Sequence, residues 1–118
     1  MDVGELYGPL LYVLGKAYYY KGKYYSDLAI LYLNEAAAAG YVGDDTYEYL
    51  GLAYSDLSNY EKSVASFTTA VASNPTDMRY LALAQAYFNQ GNVEKAEEYL
   101  VRTLNKTRDP AVEKRTRF

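Results

Sequence analysis

The chain has 118 residues, half of them hydrophobic and 23% charged, with a net charge of −3, which suits one folded domain and is too apolar for a disordered chain. It has no Cys and no His, which removes disulfides, thiolate chemistry, the usual general base near neutral pH and the commonest metal ligand. The longest apolar run, Leu28 to Leu33, is too short to span a membrane, and a start with Asp2 and Glu5 and no basic residue before Lys16 is not a signal peptide, so a soluble, cytoplasmic rather than exported, protein is expected.

Helical spacing recurs along the chain. Leu11, Leu14, Gly15 and Tyr18 share one stripe, and Gly22 permits a turn after it. A second helix is capped by Ser26 or Asp27, runs through the tract Ala36 to Ala39 and stops at Gly40. Asp45, with Glu48 three residues on, opens a third helix whose stripe is Tyr47, Leu50, Gly51 and Tyr54. Ser58 caps a fourth, Glu61 completes its capping box, and Tyr60, Val64, Phe67 and Val71 form its stripe. Asn74 caps a fifth, with Pro75 at the first helical position and Asp77 in the first turn. Gly91 turns the chain into a sixth, which carries Ala96, Tyr99 and Leu100. Asp109-Pro110 marks one more helix start, close to the end at Phe118.

These elements repeat as pairs. Leu14-Gly15-Lys16-Ala17-Tyr18 returns as Leu50-Gly51-Leu52-Ala53-Tyr54 and again as Leu83-Ala84-Gln85-Ala86-Tyr87. A unit that recurs every 33 to 36 residues implies stacked copies of one small structure. The middle copy, from Tyr47 through Ser63, Phe67 and Ala70 to Pro75, resembles the tetratricopeptide repeat, a helix–turn–helix of about 34 residues. The first copy departs from it by two extra residues near Tyr25-Ser26-Asp27. The third has Ala84 in place of Gly and Thr103 in place of Ala.

The resemblance covers roughly residues 8–108. It implies an all-α fold: a right-handed α-α superhelix, or solenoid, of three repeats at about 8–43, 44–76 and 77–108, followed by a short or truncated C-terminal helix at 109–118. The favoured reading of 109–118 is the first helix of a fourth repeat, which makes the chain a fragment of a longer array. A short capping helix is the other reading. The resemblance also explains Tyr18, Tyr24, Tyr47, Tyr54, Tyr60, Tyr80 and Tyr87, which fall where the family places large packing residues.

In this family the first helix of each pair lines a concave groove. Carried over by residue, that groove is lined by Tyr12, Lys16, Tyr19 and Tyr20 in the first copy. The second supplies Glu48, Leu52, Ser55 and Asp56, and the third Leu81, Gln85, Phe88 and Asn89. Sixteen tyrosines is a large number for this length, and Tyr12, Tyr19 and Tyr20 are surplus to the packing positions. They read either as ligand contacts or as cover for neighbouring helices. Some family members grip a chaperone's terminal carboxylate with Lys and Asn. Here those positions hold Tyr12, Lys16, Tyr49, Met78 and Ala82, so that clamp is not expected, and an apolar or amphipathic segment suits the groove better.

The implied function is a protein-interaction scaffold that binds a peptide or helical segment of a protein partner in the concave groove. The alternative is self-assembly into a homo-oligomer, by end-to-end stacking or exchange of a terminal helix. Catalysis is not expected, because Asp44-Asp45 and Glu97-Glu98 are lone acidic pairs of the kind found at helix caps and solvated faces; no catalytic residue, metal site or cofactor is assigned. Residues 102–118 carry Arg102, Lys106, Arg108, Lys114, Arg115 and Arg117 against Asp109 and Glu113, which leaves about −7 on the rest. That basic end reads as a solvated helix face, and no nucleic-acid partner is expected.

Overall fold

A computed structural model describes residues 3–107 as six α-helices, with no strand among the described residues. The helices are α1 (Val3–Lys21), α2 (Ser26–Ala38), α3 (Thr46–Asp56), α4 (Tyr60–Ser73), α5 (Asp77–Gln90) and α6 (Val93–Thr107). Each packs on the next in sequence, and α1 also touches α3. The result is a row of helix pairs. Its extents are 61 × 32 × 23 Å and its radius of gyration is 16.9 Å. A round domain of this length would measure about 13–14 Å. The expected helix at 109–118 lies outside the described residues.

Glycines set how closely paired helices approach. A Cβ added at Gly15 of α1 would lie 2.7 Å from Leu33 Cγ on α2, and one at Gly51 of α3 would lie 2.7 Å from the Phe67 ring on α4. In the third pair Ala84 takes this place, fully buried. Phe67, Leu83 and Ala86 form a buried cluster, with Leu52, Val64, Tyr87 and Tyr99 packed around it. It spans α3 to α6 and welds the second pair to the third.

Three turns share one chemistry. After α2, α3 and α5 the chain enters the left-handed region at Gly40 (φ 90°), Ser58 (φ 58°) and Gly91 (φ 95°). In each turn the next amide reaches back to a carbonyl of the last helical turn: Tyr41 to Ala36, Asn59 to Tyr54 and Asn92 to Tyr87, each at 2.9 Å. Ser58 is therefore spent in closing α3. The cap of α4 is Asn59, whose side chain accepts from the Lys62 amide at 3.3 Å, so the expected box of Ser58 and Glu61 does not form. Serine pays a steric cost at positive φ that glycine avoids. Ser58→Gly should raise stability by about 0.5–1 kcal/mol, read as a higher denaturation midpoint with unchanged slope.

Other caps also differ from expectation. α5 begins at Asp77 and is capped by Thr76, whose hydroxyl accepts from the Arg79 amide; Asn74 instead closes α4. α2 begins at Ser26 without a side-chain cap, because Ser26 is buried and its hydroxyl donates to Asp56 Oδ2 on α3 at 3.2 Å, while Asp27 accepts only from the adjacent Leu28 amide. The two extra residues of the first copy are taken up by a 3-10 turn at Lys23–Tyr25, which starts α2 four residues after Gly22, whereas α6 starts two after Gly91. That turn swings Tyr24 outward to 89% exposure, so it does not pack as expected. The other tyrosines assigned to packing positions are half-buried.

Candidate functional site

The first helices of successive pairs exchange side-chain contacts, and these build one face. Asp45 stands at the N-terminus of α3 without capping it. Its carboxylate instead accepts from the Tyr12 hydroxyl and from Lys16 Nζ, the latter at 3.0 Å. Lys16 lies over the rings of Tyr12 and Tyr49 at 4.8 and 5.3 Å. Tyr12 also packs against Tyr41, with ring centroids 5.2 Å apart. Further along, Tyr19, Tyr20 and Tyr49 meet pairwise edge-to-face at 5.2–5.6 Å, and the hydroxyls of Tyr20 and Tyr49 share a hydrogen bond.

The electrostatics of this face follow from those contacts. Burial would raise the Asp45 pKa, but the hydrogen bonds from Tyr12 and Lys16 outweigh it and hold the carboxyl below its usual range. The same Asp45 hydrogen bond raises Lys16. Burial, then the Asp45 hydrogen bond, raises the Tyr12 phenol; burial, then the Asp56 charge, raises Tyr19. The bond to Tyr20, helped by burial, pushes Tyr49 up to about 12. These three phenols stay protonated near neutral pH, so they add no negative charge to this face. A depressed carboxylate stabilises the fold above its unfolded pKa of about 4, and that stability is lost as pH falls through the folded value. The stability gap between the wild type and Asp45→Asn should therefore narrow as pH drops below about 4, in denaturation measured across an acid series.

The expected site residues divide into three groups. Tyr12, Lys16, Tyr19 and Tyr20 are brought together with Tyr49, and Tyr20 remains 69% exposed. In α3, Glu48 pairs with Arg79 at 2.9 Å, Leu52 packs on the Phe67 cluster, Ser55 bonds Ser63 at 2.6 Å, and Asp56 accepts from Ser26. Those four are engaged within the fold. On α5, Leu81, Gln85, Phe88 and Asn89 are exposed, and Gln85 donates to Asn89. Leu81 lines a groove of about 330 Å³ with Met78, Leu100 and Leu104, beside α6.

Asp45, Tyr49 and Arg79 do this work without having been expected to. Asp45 and Tyr49 are four residues apart, as are Tyr12 and Lys16, so setting the two helices side by side would have paired them. Arg79 is 4% exposed and reaches five acceptors. Nε donates to Glu48 at 2.9 Å, Nη1 to the carbonyls of Ala70 and Asn74 at 3.0 and 3.1 Å, and Nη2 to the carbonyl and carboxylate of Asp44 at 2.9 and 3.4 Å.

Helix pairs in a row, each packed through its second helix on the first helix of the next, define a helical-repeat scaffold. A family model described as tetratricopeptide repeat matches residues 12–77 and again residues 49–111. The chain belongs to the tetratricopeptide repeat family, whose repeats generally mediate protein–protein interactions. A search of curated proteins finds no match to it. Among the described residues no helix is long and apolar enough to cross a membrane.

Proposed function

We propose that the chain binds a peptide or helical segment of a protein partner in the concave groove of its first helices. The observation that carries this reading is the cluster of Tyr19, Tyr20 and Tyr49, with Tyr20 largely exposed above it. Stiff aromatic area with a hydrogen-bonding tip is what interaction hot spots are made of. Phe88 is a further exposed aromatic side chain, on α5. On this reading Tyr12 and Lys16 stiffen the platform, and Glu48, Leu52, Ser55 and Asp56 support it from below. The three pairs are read as repeats at about 8–43, 44–76 and 77–108.

A displayed peptide library selected against the wild-type chain supplies ligands for a test. Tyr20→Ala, with Phe88→Ala beside it, should weaken a selected peptide at least tenfold while leaving the helical circular dichroism intact. Unchanged affinity in both variants would remove the groove assignment.

Self-assembly is the second reading, favoured by uncovered apolar side chains at both ends of the row. Leu10 and Val13 stand exposed on α1, as do Met78, Leu100 and Leu104 on α5 and α6. An open stack with two unlike apolar ends can join head to tail. Light scattering over a concentration series distinguishes the readings: mass that rises with concentration supports stacking, and a constant monomer mass removes it.

A further inference from the structure

A second surface lies away from the tyrosine cluster, among the second helices. A groove of about 530 Å³ runs between α2 and the first turn of α4, floored by the end of α3. Ile30 and Leu31 of α2 and Leu57 after α3 make it aliphatic, and Leu31 and Leu57 are 46% and 48% exposed. At its centre Asn34 donates to the Tyr54 hydroxyl at 3.4 Å and stays exposed. An exposed amide beside aliphatic side chains can bond a docked backbone or side chain.

The charge on the walls selects the occupant. Asp27 and Glu35 line the α2 side, eight residues apart, which is about 12 Å along a helix. Neither carboxylate makes an ion pair among the described residues. The one cation on the opposite wall, Lys62, has its Nζ 5.7 Å from the centroid of the Tyr54 ring. The α2 wall is therefore an acidic rail with a two-turn spacing above an aliphatic trough.

We propose that this groove docks an amphipathic helix of a protein partner, with aliphatic anchors facing Leu31 and Leu57 and Lys or Arg two turns apart facing Asp27 and Glu35. The groove runs from Asp27 to Ala38, about three helical turns, so the docked segment is short. This site shares no residue with the tyrosine-bearing face, and it stands whether or not that face binds a segment.

The test uses the full chain and a fluorescent, fourteen-residue Leu/Lys amphipathic helix, with a Leu/Glu peptide of the same pattern as control. Fluorescence anisotropy should show saturable micromolar binding of the Leu/Lys peptide only. Leu31→Asp should weaken it at least tenfold, Glu35→Lys several-fold, and Tyr20→Ala not at all. Leu31→Asp adds negative charge, so diffuse attraction of a cationic peptide would tighten with it, whereas groove docking weakens. Should Leu31→Asp lose its helical circular dichroism, Asn34→Lys, at an exposed position, must give the same loss. The proposal is overturned by absent or unsaturable binding, by equal binding of the Leu/Glu peptide, or by indifference to Leu31→Asp and Asn34→Lys. It is overturned too if sedimentation shows that the chain alone dimerises and that Leu31→Asp abolishes the dimer, which assigns the groove to a second copy.

Discussion

Arg79→Ala should lower the free energy of unfolding by about 3 kcal/mol, measured by urea denaturation. The guanidinium is the junction of the second and third pairs: it holds Glu48 at the start of α3, Asp44 just before it, and the carbonyls of Ala70 and Asn74 at the end of α4. Removing it breaks charged hydrogen bonds to the carbonyls of Ala70, which keeps the Asn74 amide at 3.0 Å, and of Asn74, and a hydrogen bond to a charged group contributes about 1.5–3 kcal/mol. The two carboxylates are less costly to strand. Glu48 and Asp44 are 36% and 70% exposed, so water replaces much of what they lose. Arg79→Lys should restore less than half of the loss, because one ammonium cannot span acceptors on opposite sides of a planar fork. Stability in a row of repeats is a sum of unit and interface terms. The loss should therefore appear first as faster amide exchange in α5 and α6, with α1 and α2 little changed. Uniform acceleration through all six helices would contradict the junction role.

Phe67→Ala should cost about 3–5 kcal/mol, the usual range for an aromatic removed from a packed core. Phe67 is 2% exposed and stands in the cluster with Leu83 and Ala86 that joins the second pair to the third. Its ring also fills the space against Gly51, where an added Cβ would come within 2.7 Å. Truncating it opens a cavity between rigid backbones that cannot close on it. Phe67→Leu should keep most of the packing and cost about half as much. Thermal unfolding of the two variants gives the comparison; equal losses would mean that the cavity, and with it the close approach at Gly51, is not what Phe67 supports.

The helix pairs were legible in the sequence because their packing rule is local. Leu50, Gly51 and Tyr54 fall three and four residues apart, and the same types return at Leu14, Gly15 and Tyr18. Close approach needs a small residue, and Gly15 and Gly51 supply it at the same place in each copy. The caps were less legible. Ser58 and Asn59 are adjacent and both can cap. The choice depends on which one the preceding helix needs in the left-handed region, and Ser58 is taken there. Asn74 and Thr76 also compete, and there Asn74 closes α4 in an extended conformation while Thr76 caps α5. Asp45 and Glu48 look like a helix start, yet contacts with Tyr12, Lys16 and Arg79 draw both side chains away from the α3 N-terminus.

The candidate face was half legible. The surplus of Tyr12, Tyr19 and Tyr20 could be seen by setting aside the packing positions. Their neighbour Tyr49 needed a further step, because it enters the cluster only when α1 is set beside α3, a contact between residues about 30 positions apart. Arg79 was hidden for the same reason: its acceptors lie between 5 and 35 positions away. The trough beside Leu31 and Leu57 has no repeat signature at all. It follows from how α2 and α4 stand over the end of α3.

Small-angle X-ray scattering of the dilute, monomeric chain tests the linear stack of helix pairs most directly. The account predicts a radius of gyration at or above 16.9 Å and a distance distribution with a long tail reaching about 60 Å, set by the 61 Å long axis. A symmetric distribution with a radius near 13–14 Å, the value for a round domain of this length, would contradict it and leave no extended face for a partner to lie along.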